Sequence, residues 1–343
     1  MSETKIREEG RAGRITLTRP RALNALTHDM VLDIEAALDR WRERRGLDLV
    51  LIDAEGDRAF CAGGDIQRMY ETGRAGDLDY GRRFWRDEYR MNAKLAEFPK
   101  PVVTFLQGYT MGGGVGVGCH ATHRVVCETS KLAMPEVSIG LIPDVGGSLL
   151  LARAPGRLGE FLGLTAHRMT AGDAIHAGFA DHFVPREGWP ALTAELCGTG
   201  DASAVARAAQ PAPKSALAGW QARIGPCFAG ETLDEIMGAL PDPAPEPLDR
   251  AGSDMAGHSP LAMACALRII RTVRETGGIR TALEHEYRYT ARSMSRGDFL
   301  EGIRAAIMDR DGAPRWRHET WRDIPEGDIL AMTAPITDHP LQF

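Results

Sequence analysis

The sequence predicts an α/β fold with a helical C-terminal part. Through the first 200 residues, short apolar strands, glycine turns and amphipathic helices recur in that order, as layered α/β units require. From residue 259 to 310, apolar residues return at helical spacing instead. With 343 residues, 43% of them hydrophobic and 26% charged, the chain is an ordinary soluble globular protein long enough to bury a sizeable core.

Each element has its own reason. Residues 14–18 (RITLT) alternate as a strand. Residues 28–45 set Met30, Val31, Ile34, Leu38 and Trp41 on one helical face, with Thr27 placed to cap it. LDLVLID (47–53) is a mostly apolar strand, followed by glycine punctuation at 63–64. Residues 80–97 read as a helix ended by Pro99 and Pro101. VVTFLQ (102–107) is a buried strand, MGGGVGVG (111–118) a glycine cluster before a helix, and RVVCET (124–129) a further strand. Near residue 200 the composition turns small and polar, and PDPAPEP (241–247) must be extended or loop-like. SPLAMACALRIIRTVRE then opens a helix with a Ser cap and Pro at its first position. Three regions are expected: a core over 1–200, an irregular connecting segment over 201–255, and a helical extension over 256–343.

Charge and composition exclude several classes. The net charge of −6 argues against nucleic acid as a partner. Of the basic residues 36 are Arg and 5 Lys, which reads as coding bias. No run of about 18 apolar residues occurs, so no membrane span is expected. The N-terminus shows neither a signal-peptide core nor an acid-poor transit segment, so a cytoplasmic location is expected. Six scattered cysteines without CxxC make a disulfide framework or a four-cysteine zinc site improbable. P-loop, GxGxxG, GxSxG and HExxH motifs are absent. His120 and His123, three apart, read as structural.

Two glycine clusters follow strands: Phe60-Cys61-Ala62-Gly63-Gly64-Asp65 and Gly112-Gly113-Gly114. Paired backbone amides there can hold a carbonyl oxygen that becomes negative in a transition state; tight turns alone explain the spacing as well. Glu136 and Asp144 lie eight apart in an apolar stretch, with Gly140 and Pro143 between them, so they do not share a regular helix. Such carboxylates are costly unless paired or used. A catalytic pair, or a cap plus a salt bridge, both fit.

Together ALNAL (22–26), FCAGGDI (60–66), KPVVTFLQGYTMGGGVGVG (100–118), PEVSIGLIPDVGG (135–147) and LTAHRMTAGDAIHAGFADHFVP (164–185) resemble the enoyl-CoA hydratase/isomerase, or crotonase, superfamily in order and spacing. The resemblance implies a spiral of ββα units and an acyl-CoA thioester as ligand. It implies an oxyanion hole from the amides of Gly64 and Gly113. Ala62, Gly63, Asp65 and Ile66 would lie along the CoA moiety, with Asp65 also read as holding the loop. It implies no metal or redox cofactor, since coenzyme A enters with the substrate, and a trimer-type homo-oligomer unless the extension covers that surface.

Departures choose the branch. Hydratases of this family carry a glutamate where Gly116 stands and tend to have glycine where Asp144 stands. The pattern here resembles the 3-hydroxyisobutyryl-CoA hydrolase branch. FWRDEYRMN (84–92) resembles a segment of that branch and makes Glu88 a substrate-pocket residue. Residues 259–324 resemble its C-terminal extension. The implied reaction is hydrolysis of a short 3-hydroxyacyl-CoA. Glu136 acts as nucleophile or as water-activating base, the covalent route preferred because a thiolate leaves readily. Asp144 binds the hydroxyl or protonates the sulfur. The alternatives are an enoyl-CoA hydratase or isomerase with an unusual base, and a non-catalytic acyl-CoA-binding subunit.

Overall fold

The structure, a computed structural model, describes residues 3–343. A hairpin, β1 (Thr4–Glu9) and β2 (Ala12–Leu17), opens the chain, and α1 (His28–Trp41) follows with the Thr27 side chain accepting from Met30 N–H. The chain then repeats one manoeuvre. β3 (Leu49–Ala54) and β4 (Ala59–Cys61) precede the helices α2 (Ile66–Arg74) and α3 (Asp79–Ala96). β5 (Val102–Leu106) and β6 (Tyr109–Met111) precede α4 (Gly113–Gly118). β7 (His123–Val126) and β8 (Lys131–Ala133) precede a 3₁₀ turn, Glu136–Ile139, then α5 (Gly147–Arg153), α6 (Leu158–Thr165) and α7 (Ala171–His176).

In every repeat the first strand joins a six-stranded sheet, β1-β2-β3-β5-β7-β9, with β9 at His182–Phe183. The second strand joins a three-stranded sheet, β4-β6-β8. All pairings except β1–β2 are parallel. This is a spiral of ββα units. The inner strands are buried on both faces and so read as apolar runs rather than alternations. Val50 and Ile52 face the main core, while Leu49 and Leu51 face a smaller one with Phe105 and Trp189, closed by α8 (Trp189–Thr199).

Residues 201–255 correct the expectation of an irregular segment. They carry α9 (Ala204–Ala208), α10 (Ala216–Cys227), α11 (Leu233–Gly238) and α12 (Ala251–Gly257). Ser215 and Thr232 cap two of them, and each helix is too short and too alanine- and glycine-rich to show a clear apolar period. Helix α2 also went unread, since it begins directly after the glycine turn. The extension forms α13 (Pro260–Thr276), capped by Ser259 as expected, then α14 (Ile279–Arg296), α15 (Phe299–Ile303) and α16 (Glu326–Thr333). Arg274 on α13 grips the fully buried Glu160 of α6 with two bonds of 2.6 and 2.8 Å. A buried carboxylate needs such pairing, so this contact ties extension to core.

Candidate active site

The C-terminal ends of β4 and β6 open on a cavity of about 100 Å³. Ala62, Gly63, Gly64, Ile66, Gly112, Gly113, Glu88, Glu136 and Asp144 all line it, with Phe84, Trp85 and Phe299 among its apolar walls. The sequence-selected residues therefore converge, Asp65 excepted. Its carboxylate turns to Arg19 at 3.1 Å, which fits the loop-holding reading. A roomier groove of about 730 Å³ lies over β1, β2 and α8, but its Arg14 is spent on Asp53 and Glu9.

The glycine turns leave two amides free. Leu26 straps the first turn, donating to the Gly63 carbonyl at 2.9 Å and accepting from Asp65 N–H at 2.8 Å. Gly64 N–H between them has no backbone acceptor among the described residues. Gly113 is the first residue of α4, where an N–H has no intrahelical acceptor. The two lie side by side: a Cβ built on Gly113 would sit 3.3 Å from Gly64 N. It would also sit 2.9 Å from Glu88 Oε1, and one on Gly112, whose φ is +49°, would sit 2.9 Å from Glu136 Oε1. Only glycine lets both carboxylates approach the turn so closely.

Three elements supply the carboxylates. Glu88 projects from α3, Glu136 opens the 3₁₀ turn after β8, and Asp144 sits in the loop before α5. Positive φ at Gly140 (+74°), Val145 (+54°) and Gly146 (+79°) bends that loop back onto the site. All three are at least 95% buried. Glu88 Oε1 and Glu136 Oε2 are buried and have no hydrogen-bond partner among the described residues, so both cavity-lining carboxyls keep bonding capacity unspent. Burial, and after it the Asp144 charge, hold Glu88 and Glu136 well above the usual carboxylate range. Burial pushes Asp144 up to about 7, while the Tyr89 hydroxyl donating to Oδ2 at 2.7 Å pulls the other way. That donor favours the ionised form of Asp144, and the unpartnered Glu88 Oε1 and Glu136 Oε2 have none like it.

Several contributors were not singled out from the sequence. Tyr89 lies within FWRDEYRMN but has no pattern there that marks it as a site residue. Phe299 comes from α15 and packs against Trp85, the rings tilted with centroids 5.6 Å apart. Glu286 and Thr290 come from α14; Glu286 bonds the Asp144 loop at Gly146 and Thr290 meets the Tyr89 hydroxyl. No local signal marks them; only a contact between distant segments does. His120 keeps a structural place. Burial pushes it down to about 4, so the ring is neutral and Nε2–H donates to the Val145 carbonyl at 2.8 Å. Gly116 has a physical counterpart too. A Cβ there would lie 2.8 Å from Asn92 Nδ2 and 2.8 Å from Val145 Cβ. No glutamate fits at that position without moving the loop that carries Asp144.

A family model described as Enoyl-CoA hydratase/isomerase matches residues 12–332. The 3-hydroxyisobutyryl-CoA hydrolase, mitochondrial, of Rattus norvegicus is 35% identical over 361 residues, spanning 100% of this chain and 91% of that protein. The protein of the same name from Danio rerio is 36% identical, spanning 100% and 92%. A solved structure named as an enoyl-CoA hydratase from Rhodobacter sphaeroides 2.4.1 superposes with a TM-score of 0.95. It is 52% identical, with both chains fully covered.

Proposed function

The chain belongs to the enoyl-CoA hydratase/isomerase family, on the 3-hydroxyisobutyryl-CoA hydrolase branch, and on that premise we propose that it hydrolyses a short 3-hydroxyacyl-CoA, 3-hydroxyisobutyryl-CoA first among them, to the free acid and CoA. The observation that carries this is one small cavity holding Glu136, Asp144 and Glu88 beside the free amides of Gly64 and Gly113, with no room for a second hydratase-type glutamate at Gly116. Such a reaction would belong to valine breakdown. A cytoplasmic location and a trimer-type homo-oligomer are part of the same proposal, read out by fractionation and solution mass. No helix among the described residues is long and apolar enough to cross a membrane.

The chemistry follows from the Tyr89 bond that favours ionised Asp144. The thioester carbonyl oxygen lies between Gly64 and Gly113 N–H. Glu136 passes its proton to ionised Asp144, and the freed carboxylate oxygen attacks the thioester carbon. The tetrahedral oxyanion is held by the two amides. Its collapse breaks the C–S bond, and Asp144 returns the proton to the departing sulfur. Asp144 then takes a proton from water, whose oxygen attacks the substrate-derived acyl carbon of the Glu136 anhydride. The acyl–oxygen bond to Glu136 then breaks, the hydroxy acid leaves, and the proton on Asp144 returns to the Glu136 carboxylate, which restores the starting state. Protonated Glu88 donates to the 3-hydroxyl. The cycle consumes only water, and coenzyme A is part of the substrate.

The test is free-thiol release from (S)-3-hydroxyisobutyryl-CoA, with crotonyl-CoA run beside it by loss of enoyl absorbance. Thiol release with crotonyl-CoA untouched is expected. Enoyl loss without thiol release would support the second reading, hydration, which the name of the Rhodobacter sphaeroides structure favours. Silence with both, while CoA binds, would leave a binding subunit.

A pH profile tests the role of Asp144. It must be ionised to start the cycle, so kcat/KM rises with pH through about 7 and falls away below. Tyr89→Phe removes the hydrogen bond that stabilises the ionised form. Such a bond to a charged group is worth about 1.5–3 kcal/mol, so the limb shifts to higher pH by about one unit or more. A limb that stays put, or moves down, overturns this role.

A further inference from the structure

Helix α14 lies outside the ββα spiral, yet two residues of one face reach the catalytic loop and a third reaches Tyr89, which bonds Asp144. Glu286, Tyr289 and Thr290 are spaced i, i+3 and i+4, and so stack on one side of the helix. Tyr289 donates its hydroxyl to the Gly140 carbonyl at 3.1 Å. Glu286 accepts from Gly146 N–H at 2.7 Å through one oxygen, and from Ser148 N–H at 3.0 Å and the Ser148 hydroxyl through the other. Thr290 Oγ1 lies 3.3 Å from the same Tyr89 hydroxyl that bonds Asp144. Asp144 is therefore bracketed. Its backbone is pinned to α14 on both sides, and its side chain is steered through Tyr89.

Glu286 is fully buried, an expensive place for a carboxylate. Its three donors offset part of that cost, though burial still pushes the group up to about 8, and two of them are amides at the start of α5 that have no acceptor within their own helix. No side chain at position 146 can cap α5 locally, because φ there is +79° and a Cβ would lie 2.5 Å from His120 Nε2. Here the cap arrives from a residue 140 positions away, and it aims at the loop that carries Asp144.

We propose that Glu286, with Thr290 beside it, is a positioning residue for Asp144, so that the C-terminal extension is a working part of the active site. The inference rests on the hydrolase reading. It makes chemistry, not CoA affinity, depend on α14, because Glu286 and Thr290 are not among the residues lining the cavity.

Glu286→Gln keeps shape and volume but replaces one acceptor oxygen with a donor that faces Gly146 N–H or Ser148. Misplacing a reacting group by about 1 Å costs about 10²-fold. The expected result is a kcat about 10²-fold lower in the thiol-release assay, with KM and CoA affinity by calorimetry within about threefold. Thr290→Val, which frees the Tyr89 hydroxyl on its far side, is expected to lower kcat about tenfold with KM unchanged, and decides the matter if Glu286→Gln does not fold. A kcat within threefold of wild type in the folded variants overturns the proposal. So does a loss shared equally by kcat, CoA affinity and melting temperature, which marks a merely structural role. Should wild-type protein release no thiol, the hydrolase reading itself falls and takes this inference with it; wild-type turnover beside an active Glu286→Gln sinks only the inference.

Discussion

Glu136→Gln is expected to abolish thiol release, with a loss of about 10⁴-fold or more, because removing a nucleophile closes the whole covalent route. Folding should be unaffected. Burial holds Glu136 protonated well above the usual carboxylate range, so the neutral amide closely copies the form present in the resting protein. CoA affinity should stay within about threefold, since the amides of Gly64 and Gly113 are untouched. The measurement is thiol release alongside CoA binding by calorimetry. Turnover within tenfold of wild type would move the nucleophile's role to Asp144 or to a water it activates.

Gly113→Ala should be the next most damaging change. The backbone there is helical and needs no glycine for its φ, and alanine is the better helix former. The cost falls on the site. The new methyl would lie 2.9 Å from Glu88 Oε1, 3.2 Å from Leu26 Cδ1 and 3.3 Å from Gly64 N. Something must shift: the end of the Glu88 side chain gives most readily, and the contact with Gly64 N presses on the spacing of the two proposed oxyanion donors. Loss of one such donor costs about 10²–10³ in kcat, and that is the expected range, with a melting temperature near wild type. A Gly113→Ala enzyme with wild-type kcat would remove the oxyanion role from this turn. The same substitution at Gly114 would be a poor test, because its methyl would run into the Cys61 carbonyl and disturb the turn itself.

How legible each element was follows from the range of the force that makes it. β3 and β5 were visible because buried parallel strands must be apolar along their length. Helices α1 and α13 were visible because their caps, Thr27 and Ser259, and their apolar stripes are local. The helices of 201–255 were not, since their residues are small and each buries only a few side chains, such as Leu217 and Ile224 on α10 or Ile236 on α11. Both halves of the site, the glycine turns and the Glu136–Asp144 pair, stood out as residues that are wasteful unless used. Their meeting in one cavity was implied by family resemblance and became geometry only when the ends of β4 and β6 came together.

The sequence by itself supplied the chemical parts: two glycine turns, the Glu136–Asp144 pair, Glu88 through its resemblance to the branch, and glycine at position 116 where hydratases keep an acid. It also determined the family, because five motifs in register are a one-dimensional property. Tertiary structure alone decided what state those parts are in. Tyr89 lies 55 positions from Asp144, and Glu286 lies 140 from Gly146; no local pattern links them. Whether Glu136 holds its proton while Asp144 titrates near 7 depends on which atoms surround each carboxyl. Desolvation and hydrogen-bond partners belong to neighbours in space, and the chain acquires those only by folding.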